Sequence, residues 1–277
     1  MRHTESRFPG RKNLSLYHQS WQPDGIPIAV LVVIHGLAEH SGRYLNLVNY
    51  FVPRGYAVCT YDLRGHGKSE GRRGYVERFS YYLDDTKTFI EKVCREHEHT
   101  KVFMVGHSMG GTIATAYAIK HQCDLDGLVT SGSLLKVGTS VTPVAMLMAK
   151  ILSFILPKMG VSVLDASTIS RDKSVVDTYV NDPLVYRGKV SARLGAELLD
   201  IIEKLPSRLH ALNLPMLIMH GAADRLSDPE SSKMLYERAG SKDKTLKLYD
   251  DFYHEIFNEP LHDHVFVDIE DWLTRHV

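Results

Sequence analysis

A serine flanked by two glycines is the residue in this sequence best suited to nucleophilic chemistry. The segment Gly106-His107-Ser108-Met109-Gly110 fits the pattern G-x-S-x-G, in which the serine lies on a sharp turn between a strand and a helix. Glycines suit the flanks because such a turn brings its backbone close to neighbouring elements. An apolar segment precedes the motif and a helix-like segment follows it. The sequence therefore predicts Ser108 as a nucleophile rather than part of an ordinary glycine-rich turn.

A serine nucleophile needs a base, and the base needs an acid that orients it. For a serine on such a turn, the acid and then the histidine follow along the chain. Asp224 comes shortly after the apolar segment MLIMHG, and His254 comes after the next strand-like segment. We therefore predict that Ser108, Asp224 and His254 form a catalytic triad.

Other aspartates fit the orienting role less well. Asp228 lies further from the preceding strand, and we expect it to cap the helix that follows. Asp250 and Asp251 are too close to His254 in sequence to reach behind its ring easily. Asp224 is therefore the preferred acid.

The remaining histidines near these motifs have simpler interpretations. His107 is next to the nucleophile, but we expect its side chain to point away from the Ser108 hydroxyl. His262 and His264 form an H-x-H pair without an apparent third ligand, so surface histidines are favoured over a metal site. No metal or cofactor site is predicted.

Acyl transfer also needs donors that stabilise the oxyanion. The N–H of Met109, directly after the nucleophile, is one candidate. The second is the N–H of Leu37, because the loop His35-Gly36-Leu37 follows the early apolar segment AVLVVI. Gly36 would permit the tight backbone that such a loop requires.

The elements that must position these residues alternate between strand and helix. Continuous apolar segments indicate strands buried on both faces, as in a parallel sheet covered by helices. The predicted strands are Ile28–Ile34, Tyr56–Tyr61, Val102–Val105, Gly127–Ser131, Met216–His220 and Leu246–Tyr249. The predicted helices are Tyr44–Pro53, Tyr81–Glu96, Thr112–His121 and Pro229–Ala239. This alternation predicts an α/β fold with catalytic loops at the carboxyl ends of the strands.

One region, about 134–206, shows helical patterns and no convincing strand. It contains the most apolar segment of the chain, Val144–Leu156, which is too short to span a bilayer and is interrupted by Lys150. The segment is apolar nearly all round, which leaves open a helix packed in the interior, a helix lining an acyl pocket, or a helix touching a membrane. For the acyl pocket we name Met146, Leu147, Ile151 and Leu152.

Composition limits the class of protein. The 277 residues suit a single domain with an inserted segment. The hydrophobic residues, 44% of the chain, are enough to form a sizeable core. Formal net charge is zero, which gives no indication of a nucleic-acid partner and favours a neutral or apolar substrate. Three cysteines without CxxC spacing indicate neither a disulfide framework nor structural zinc. Residues 1–12 are polar and basic, with no apolar core of a signal peptide, so we expect a cytoplasmic protein and leave peripheral membrane association open.

Longer motifs resemble one family. The chain looks like the monoacylglycerol lipase and lysophospholipase branch of the α/β-hydrolases. The resemblance rests on HGLAEHSGRY (35–44), YDLRGHGKSEGRRGYV (61–76), GHSMGG (106–111), NDPL (181–184), GAADRLSD (221–228) and DKTLKLYDDFYHEIFNE (243–259). These motifs cover nearly the whole chain, and HG-x-x-EHSGRY with D-x-x-GHG-x-S-x-G is much more specific than G-x-S-x-G alone.

The resemblance implies a mostly parallel eight-stranded sheet flanked by helices, in one domain over 1–277, with a mobile helical cap inserted at about 134–206. It implies hydrolysis of monoacylglycerols without metal or organic cofactor. It also implies that Glu39, Arg43 and the cap residue Tyr179 are candidates for holding the loop and the polar, glycerol end of the pocket. An alternative for Glu39 and Arg43 is an (i, i+4) ion pair at the surface or behind the site.

Two departures from the family are visible. Mammalian members carry cysteines in the cap and near the catalytic aspartate, whereas these regions read NDPLVYRG and ADRLSD here. Sensitivity to thiol reagents is therefore not expected. A histidine three residues after the catalytic one is replaced by Phe257, which affects how glycerol would be recognised.

The leading hypothesis is a serine esterase that cleaves monoacylglycerols to fatty acid and glycerol. Lysophospholipase, general carboxylesterase and cofactor-free perhydrolase activity are alternatives on the same triad. A hormone- or lipid-binding module is an alternative of another class, because a fold does not fix its function. The expected partner is a small lipid ester, with possible transient membrane contact through the cap and no nucleic acid. The sequence leaves the oligomeric state open.

Overall fold

The computed structural model describes residues 1–136 and 151–277, which contain a large sheet of eight strands and a small one of two. The strands are β1 (Arg2–Pro9), β2 (Ser15–Gln22), β3 (Val30–Ile34), β4 (Ala57–Tyr61), β5 (Val102–His107), β6 (Gly127–Ser131), β7 (Gly160–Ser162), β8 (Val190–Ser191), β9 (Met216–Gly221) and β10 (Lys244–Tyr249). The large sheet has the order β1-β2-β4-β3-β5-β6-β9-β10. Strands from β4 to β10 in this order pair in parallel, and β2 pairs antiparallel with β1 and β4.

Helices cover both faces of this sheet. The helices of the described chain are α1 (Leu45–Phe51), α2 (Ser80–Glu96), α3 (Met109–His121), α4 (Lys173–Asn181), α5 (Ala192–Lys204), α6 (Glu230–Arg238) and α7 (Asp263–Thr274), of which α4 lies in neither cluster on the sheet. Residues 151–155 are also helical. The core cluster on one face includes side chains of α2, α3 and α6, and the cluster on the other includes side chains of α1 and α7. This is the α/β arrangement that the sequence predicts.

The central strands are apolar throughout because each faces two cores. Along β3, Val30, Val32 and Ile34 pack in one cluster, while Leu31 and Val33 pack in the other. Alternate side chains of a strand point to opposite faces, so a strand between two layers of helices needs apolar residues at every position. The resulting stack brings the carboxyl ends of β3, β5, β6 and β9 to one edge of the sheet.

The antiparallel strands β1, at the edge of the sheet, and β2, beside it, are not among the strands predicted from individual segments. β1 is exposed along most of its length, and its sequence RHTESRFP is mostly polar. Such a strand lacks the apolar signal of a buried one, although its partner β2 buries Tyr17 and Trp21. The eight strands implied by the family resemblance are confirmed.

The chain leaves the large sheet between β6 and β9. In its described part this excursion contains the helical residues 151–155, the β7–β8 pair, α4 and α5. The β7–β8 pair differs from the expectation of helices alone, and its strands are only three and two residues long. Helix α5 packs through Leu194 and Leu198 into the main core. The boundaries of the cap at about 134–206 stay a prediction.

Candidate active site

Ser108 occupies a strained turn between β5 and α3. Its backbone has φ 54° and ψ −121°, a conformation that costs free energy for a residue with a side chain and persists where the surroundings enforce it. A Cβ on Gly106 would lie 2.6 Å from the Gly110 carbonyl oxygen, and a Cβ on Gly110 would lie 2.1 Å from that of Ile34. The close approach of β5, α3 and β3 therefore explains both glycines and presents the serine at the sheet edge.

The loop after β3 lies beside this turn. A Cβ on Gly36 would lie 3.0 Å from the Ser108 Cβ, so the two backbones approach closely. The Gly36 N–H donates a 2.5 Å hydrogen bond to Glu39 Oε1. This N–H is therefore not free to bind an oxyanion. Leu37 is next along the chain, and Met109 is the first residue of α3. Both predicted oxyanion donors therefore belong to backbone segments next to Ser108, and their role in holding an oxyanion stays a prediction.

Asp224 and His254 form a buried pair. The His254 Nδ1–H donates a 2.7 Å hydrogen bond to Asp224 Oδ2, although 30 residues separate them. Burial alone would lower the pKa of His254, but the charge and hydrogen bond of Asp224 raise it above 6.5. Burial would raise the pKa of Asp224, yet His254 and His220 hold it well below its ordinary value. The arrangement suits a base whose cation is stabilised by a carboxylate.

The three predicted triad residues meet around one small cavity. Ser108 and His254 line it, and Asp224 lies behind the His254 ring. Its other lining residues are Gly36, Leu37, Glu39, His107, Leu164, Ile169, Tyr179, Leu226 and Glu255. Leu164, Ile169 and Leu226 make one part of the wall apolar, while Glu39 and Glu255 place carboxylates on another.

A buried charge network forms the polar wall. Arg43 Nη2 donates to Glu255 Oε2 at 2.5 Å, and Arg43 Nε lies 3.6 Å from Glu39 Oε2. Burial and the neighbouring Glu255 raise the pKa of Glu39 to about 7, despite Arg43 and the hydrogen bonds from Gly36 and Tyr44. The side chains of Glu39 and Arg43 are only 5% and 7% exposed, so a surface ion pair is ruled out.

Tyr179 connects the excursion to this network. It lies on α4, is 3% exposed, and its ring centre is 4.7 Å from the Arg43 guanidinium carbon. The excursion is also held to the loop after β3, because His40 Nε2 lies 2.9 Å from Asp182 Oδ2 and the Tyr186 N–H donates to the Ala38 carbonyl. The structure therefore brings Glu39, Arg43 and Tyr179 together beside the triad.

The apolar residues predicted to hold the acyl chain do not contact the cavity at Ser108 in the described part of the chain. Met146 and Leu147 lie outside the described residues. Ile151 is 44% exposed and Leu152 is half-buried, and neither is among the described residues that line the cavity at Ser108. Their role in holding an acyl chain stays a prediction.

The rival residues have other roles. Asp228 accepts a 2.9 Å hydrogen bond from the Glu230 N–H at the start of α6, as expected of a capping residue. The His107 ring packs beside the His254 ring, with centres 4.7 Å apart, while its Nδ1 contacts Ser131 Oγ at 3.1 Å. Within residues 1–136 and 151–277, no three or more His, Cys, Asp or Glu side chains form a group that could hold a metal.

Two site residues, Glu255 and His220, were not identified from the sequence, and the contacts of His107 were not predicted. Glu255 follows the predicted base directly, and this adjacency is the signal that could have indicated it. His107 and His220 were visible within motifs, but their contacts depend on how separate loops converge. Phe257, at the position where the family has histidine, is 3% exposed and lies within 6.4 Å of the His107 ring. It lines a second small cavity next to Glu39 and Glu255 and is not among the residues that line the cavity at Ser108.

A mostly parallel sheet of this order, with a serine on a strained turn between a strand and a helix, defines an α/β-hydrolase of the serine type. A family model described as "Serine aminopeptidase, S33" matches residues 25–261. The chain is 36% identical over 274 residues to a monoacylglycerol lipase of Mycolicibacterium smegmatis, covering 99% of this chain and 98% of the relative. It is 35% identical over 263 residues to the human monoglyceride lipase, covering 94% and 87%.

The crystal structure of the Paleococcus ferrophilus monoacylglycerol lipase matches the fold with a TM-score of 0.82, at 31% identity and 100% coverage of both chains. The chain therefore belongs to the monoacylglycerol lipase family of α/β-hydrolases and is a serine esterase. The family predicted from the motifs is confirmed. Among the described residues, no helix is long and apolar enough to cross a membrane.

Proposed function

We propose that this protein hydrolyses monoacylglycerols to a fatty acid and glycerol through an acyl-enzyme on Ser108. The observation that carries the proposal is the divided wall of the cavity beside His254. Apolar side chains form one part, and a buried group of carboxylates and an arginine forms another. A monoacylglycerol has the same division, because its acyl chain and its diol lie on opposite sides of the ester. The family relationship supports the same substrate class.

In the proposed reaction, His254 takes the proton of Ser108 as the hydroxyl oxygen attacks the ester carbonyl. Asp224 holds the imidazole in the tautomer that leaves Nε2 free to accept that proton. The N–H groups of Leu37 and Met109 stabilise the oxyanion. His254 then gives the proton to the leaving glycerol, and a water activated in the same way releases the fatty acid.

Glycerol recognition is assigned to the buried network. Glu39 and Glu255 carry oxygens that accept hydrogen bonds from hydroxyl groups, and Arg43 can donate to them. The arginine of this network is already paired with Glu255, so it is not free to hold a phosphate on the leaving group. This charge argument favours a monoacylglycerol over a lysophospholipid.

Acyl-chain binding and membrane contact are assigned to the excursion. We place the acyl chain along Met146, Leu147, Ile151 and Leu152. Phe154 and Ile155, next in sequence, are 86% and 65% exposed. Large apolar side chains exposed together mark interaction surfaces. We infer that this surface touches lipid transiently while substrate is taken up, in a protein located in the cytoplasm and peripheral to membranes.

The decisive experiment measures fatty-acid release from monooleoylglycerol, lysophosphatidylcholine and trioleoylglycerol by the purified protein and by Ser108→Ala. Fastest turnover of monooleoylglycerol, with an inactive variant, supports the proposal. Faster turnover of lysophosphatidylcholine would keep the mechanism and replace the substrate. A folded protein that cleaves none of these, nor a short-chain nitrophenyl ester, would contradict an esterase and favour a binding module.

A further inference from the structure

A second histidine contacts the aspartate of the proposed triad. His220 is the fifth of six residues in β9 and is fully buried. Its Nε2 lies 3.1 Å from Asp224 Oδ2 and 3.0 Å from the Ser227 carbonyl oxygen. The same Oδ2 atom accepts the hydrogen bond from His254 Nδ1. Asp224 therefore lies between two imidazole rings.

The partners of His220 fix where its proton lies. Both groups facing Nε2 are acceptors, a carboxylate and a carbonyl, so Nε2 must carry the hydrogen. In the neutral ring Nδ1 then has a lone pair, and Ser232 Oγ lies 2.7 Å from it. In that form the Ser232 hydroxyl is the donor to Nδ1. Ser232 lies in the first turn of α6 and is fully buried, so its hydroxyl has few competing partners.

The other oxygen of Asp224 is also held. Oδ1 accepts hydrogen bonds from the N–H of Leu226 at 2.8 Å and of Ser227 at 3.1 Å. A carboxylate has about four lone-pair sites, and here four donors occupy them. Ser227 is fixed in turn, because its hydroxyl donates to the Ser133 carbonyl. Rotation of the Asp224 carboxylate would break several of these bonds at once.

We propose that His220 is a positioning residue that, together with Ser232, holds the Asp224 carboxylate in the orientation His254 needs. The triad then extends into a chain of five residues, Ser108–His254–Asp224–His220–Ser232. His220 does not touch the reacting atoms. Its Nε2–H stabilises the carboxylate anion by a hydrogen bond to Oδ2, the same atom that accepts from His254. The inference uses the proposed triad but not the proposed substrate.

A structural alternative is that His220 only joins β9 to α6. Three substitutions separate the two roles. His220→Gln keeps a donor amide toward Asp224 and an acceptor oxygen toward Ser232. His220→Leu keeps the approximate size and removes both groups. Ser232→Ala removes one hydroxyl, so that the tautomer with an unprotonated Nε2 against the carboxylate becomes accessible.

We expect His220→Leu to lower kcat on a short-chain nitrophenyl ester by about tenfold to a hundredfold, the effect of losing one hydrogen bond to a charged group. KM should change little. Without the donor, the Asp224 carboxylate becomes more basic and raises the pKa of His254, so the acid limb of the kcat/KM profile moves to higher pH. His220→Gln should restore most of kcat and the wild-type limb, and Ser232→Ala should lie between.

The matched control is Ser231→Ala, which removes the neighbouring hydroxyl of the same helix. Ser231 is equally buried, and its Oγ has no hydrogen-bond partner in the described structure. Thermal unfolding of every variant measures the structural contribution. Equal kcat and equal pH profiles for the Leu and Gln variants would overturn the inference, as would equal effects of the two serine substitutions. If His220→Leu fails to fold, the serine pair decides alone.

Failure of the proposed function gives a different result. In that case the wild-type protein would itself be inactive on the nitrophenyl ester, or Ser108→Ala would be as active as wild type. Both outcomes would overturn the triad and this inference with it. An active wild type, an inactive Ser108→Ala and unaffected His220 variants would overturn the positioning role alone.

Discussion

The loops at the carboxyl ends of the central strands and the excursion between β6 and β9 both reach the active-site cavity, but they are built differently. In the loops, His254 is 4% exposed and Asp224 is held by four hydrogen bonds. In the excursion, Phe154 and Ile155 expose most of their apolar surface. Fixed polar geometry therefore surrounds the candidate triad, whereas the excursion carries the exposed apolar surface that we propose meets lipid.

This difference has a physical reason. Proton transfer and oxyanion stabilisation depend on atoms placed within fractions of an ångström, which close packing and saturated hydrogen bonds provide. Binding a greasy chain depends on apolar area, which is not directional. Substitutions in the loops should therefore alter turnover, and substitutions in the excursion should alter access to lipid.

The largest effect is expected at the nucleophile. Ser108→Ala removes the hydroxyl that forms the acyl-enzyme and should lower kcat by about a million-fold, the scale found when a triad serine is removed. Thermal stability should change little, because alanine meets the same backbone strain at φ 54°. Fatty-acid release and a melting curve test both statements. Substantial remaining turnover would show that the chemistry lies elsewhere.

The next effect concerns the orienting acid. Asp224→Asn should lower kcat by about ten-thousand-fold, because an amide cannot accept from two imidazoles on one side and two backbone N–H groups on the other. Proton transfer from Ser108 to His254 should become slow, while the protein should stay folded. Single-turnover kinetics on a nitrophenyl ester measure this. A loss as small as that of a surface substitution would contradict the triad.

A third prediction concerns pH. The pKa of His254 is raised above 6.5, and the protonated ring cannot accept the Ser108 proton, so kcat/KM should fall as the pH drops through that raised pKa. The half-maximum on the acid side should therefore lie above pH 6.5. A wild-type limb below pH 6.5 would contradict the raised pKa.

The other ionisable groups facing the His254 ring are Asp224, Glu255, Glu39 and His107. Of these, Glu39 has a pKa of about 7 and could contribute to the same limb. Glu39→Gln removes this titration, so a limb that persists in that variant belongs to His254.

A smaller effect is expected from the polar wall on substrate choice. Glu39→Gln should lower kcat/KM for monooleoylglycerol by about tenfold, the scale of one hydrogen bond to a charged acceptor. The amide oxygen can still accept from the Gly36 N–H, so the loop should keep its shape. Turnover of a nitrophenyl ester, which has no glycerol, should change much less. An equal loss on both esters would indicate a role in the chemistry instead.

The sequence predicted which residues come together at the candidate triad better than it predicted the residues around them. Ser108, Asp224 and the central strands were accessible because glycine flanks, strand ends and continuous apolar segments are local signals. The Glu39–Arg43–Glu255 network was only partly accessible, because Arg43 and Glu255 are 212 residues apart and meet only when the loops fold together. The contact of His220 with Asp224 likewise depends on the turn after β9.

The turn after β9 shows why local sequence signals could not predict the contact of His220 with Asp224. A Cβ on Gly221 would lie 2.1 Å from the Tyr253 carbonyl oxygen, so the end of β9 packs directly against the loop that carries His254. Sequence spacing gives the order of these residues but not this approach. The edge strand β1 illustrates the opposite problem, because an exposed polar strand resembles a loop in its composition.

The smallest effect on turnover is expected at the exposed surface of the excursion. This prediction tests most directly whether the excursion and the loops have separate roles. Replacing Phe154 and Ile155 together by serine should weaken binding to phospholipid vesicles by about tenfold, because apolar area that would enter the lipid is lost. Hydrolysis of a soluble nitrophenyl ester should be unchanged, since neither residue lines the cavity at Ser108. Sedimentation with vesicles and ester turnover measure the two properties separately.

Leu261→Ser is the matched control, because Leu261 is 63% exposed but lies outside the excursion. If exposed apolar area anywhere on the protein were sufficient, this variant would lose vesicle binding to a similar extent. If the excursion is the contact surface, only the Phe154 and Ile155 double variant should lose it. Loss of soluble-ester turnover in the double variant would contradict the contrast between the loops and the excursion. It would show that this exposed surface affects catalysis and not only the binding of lipid.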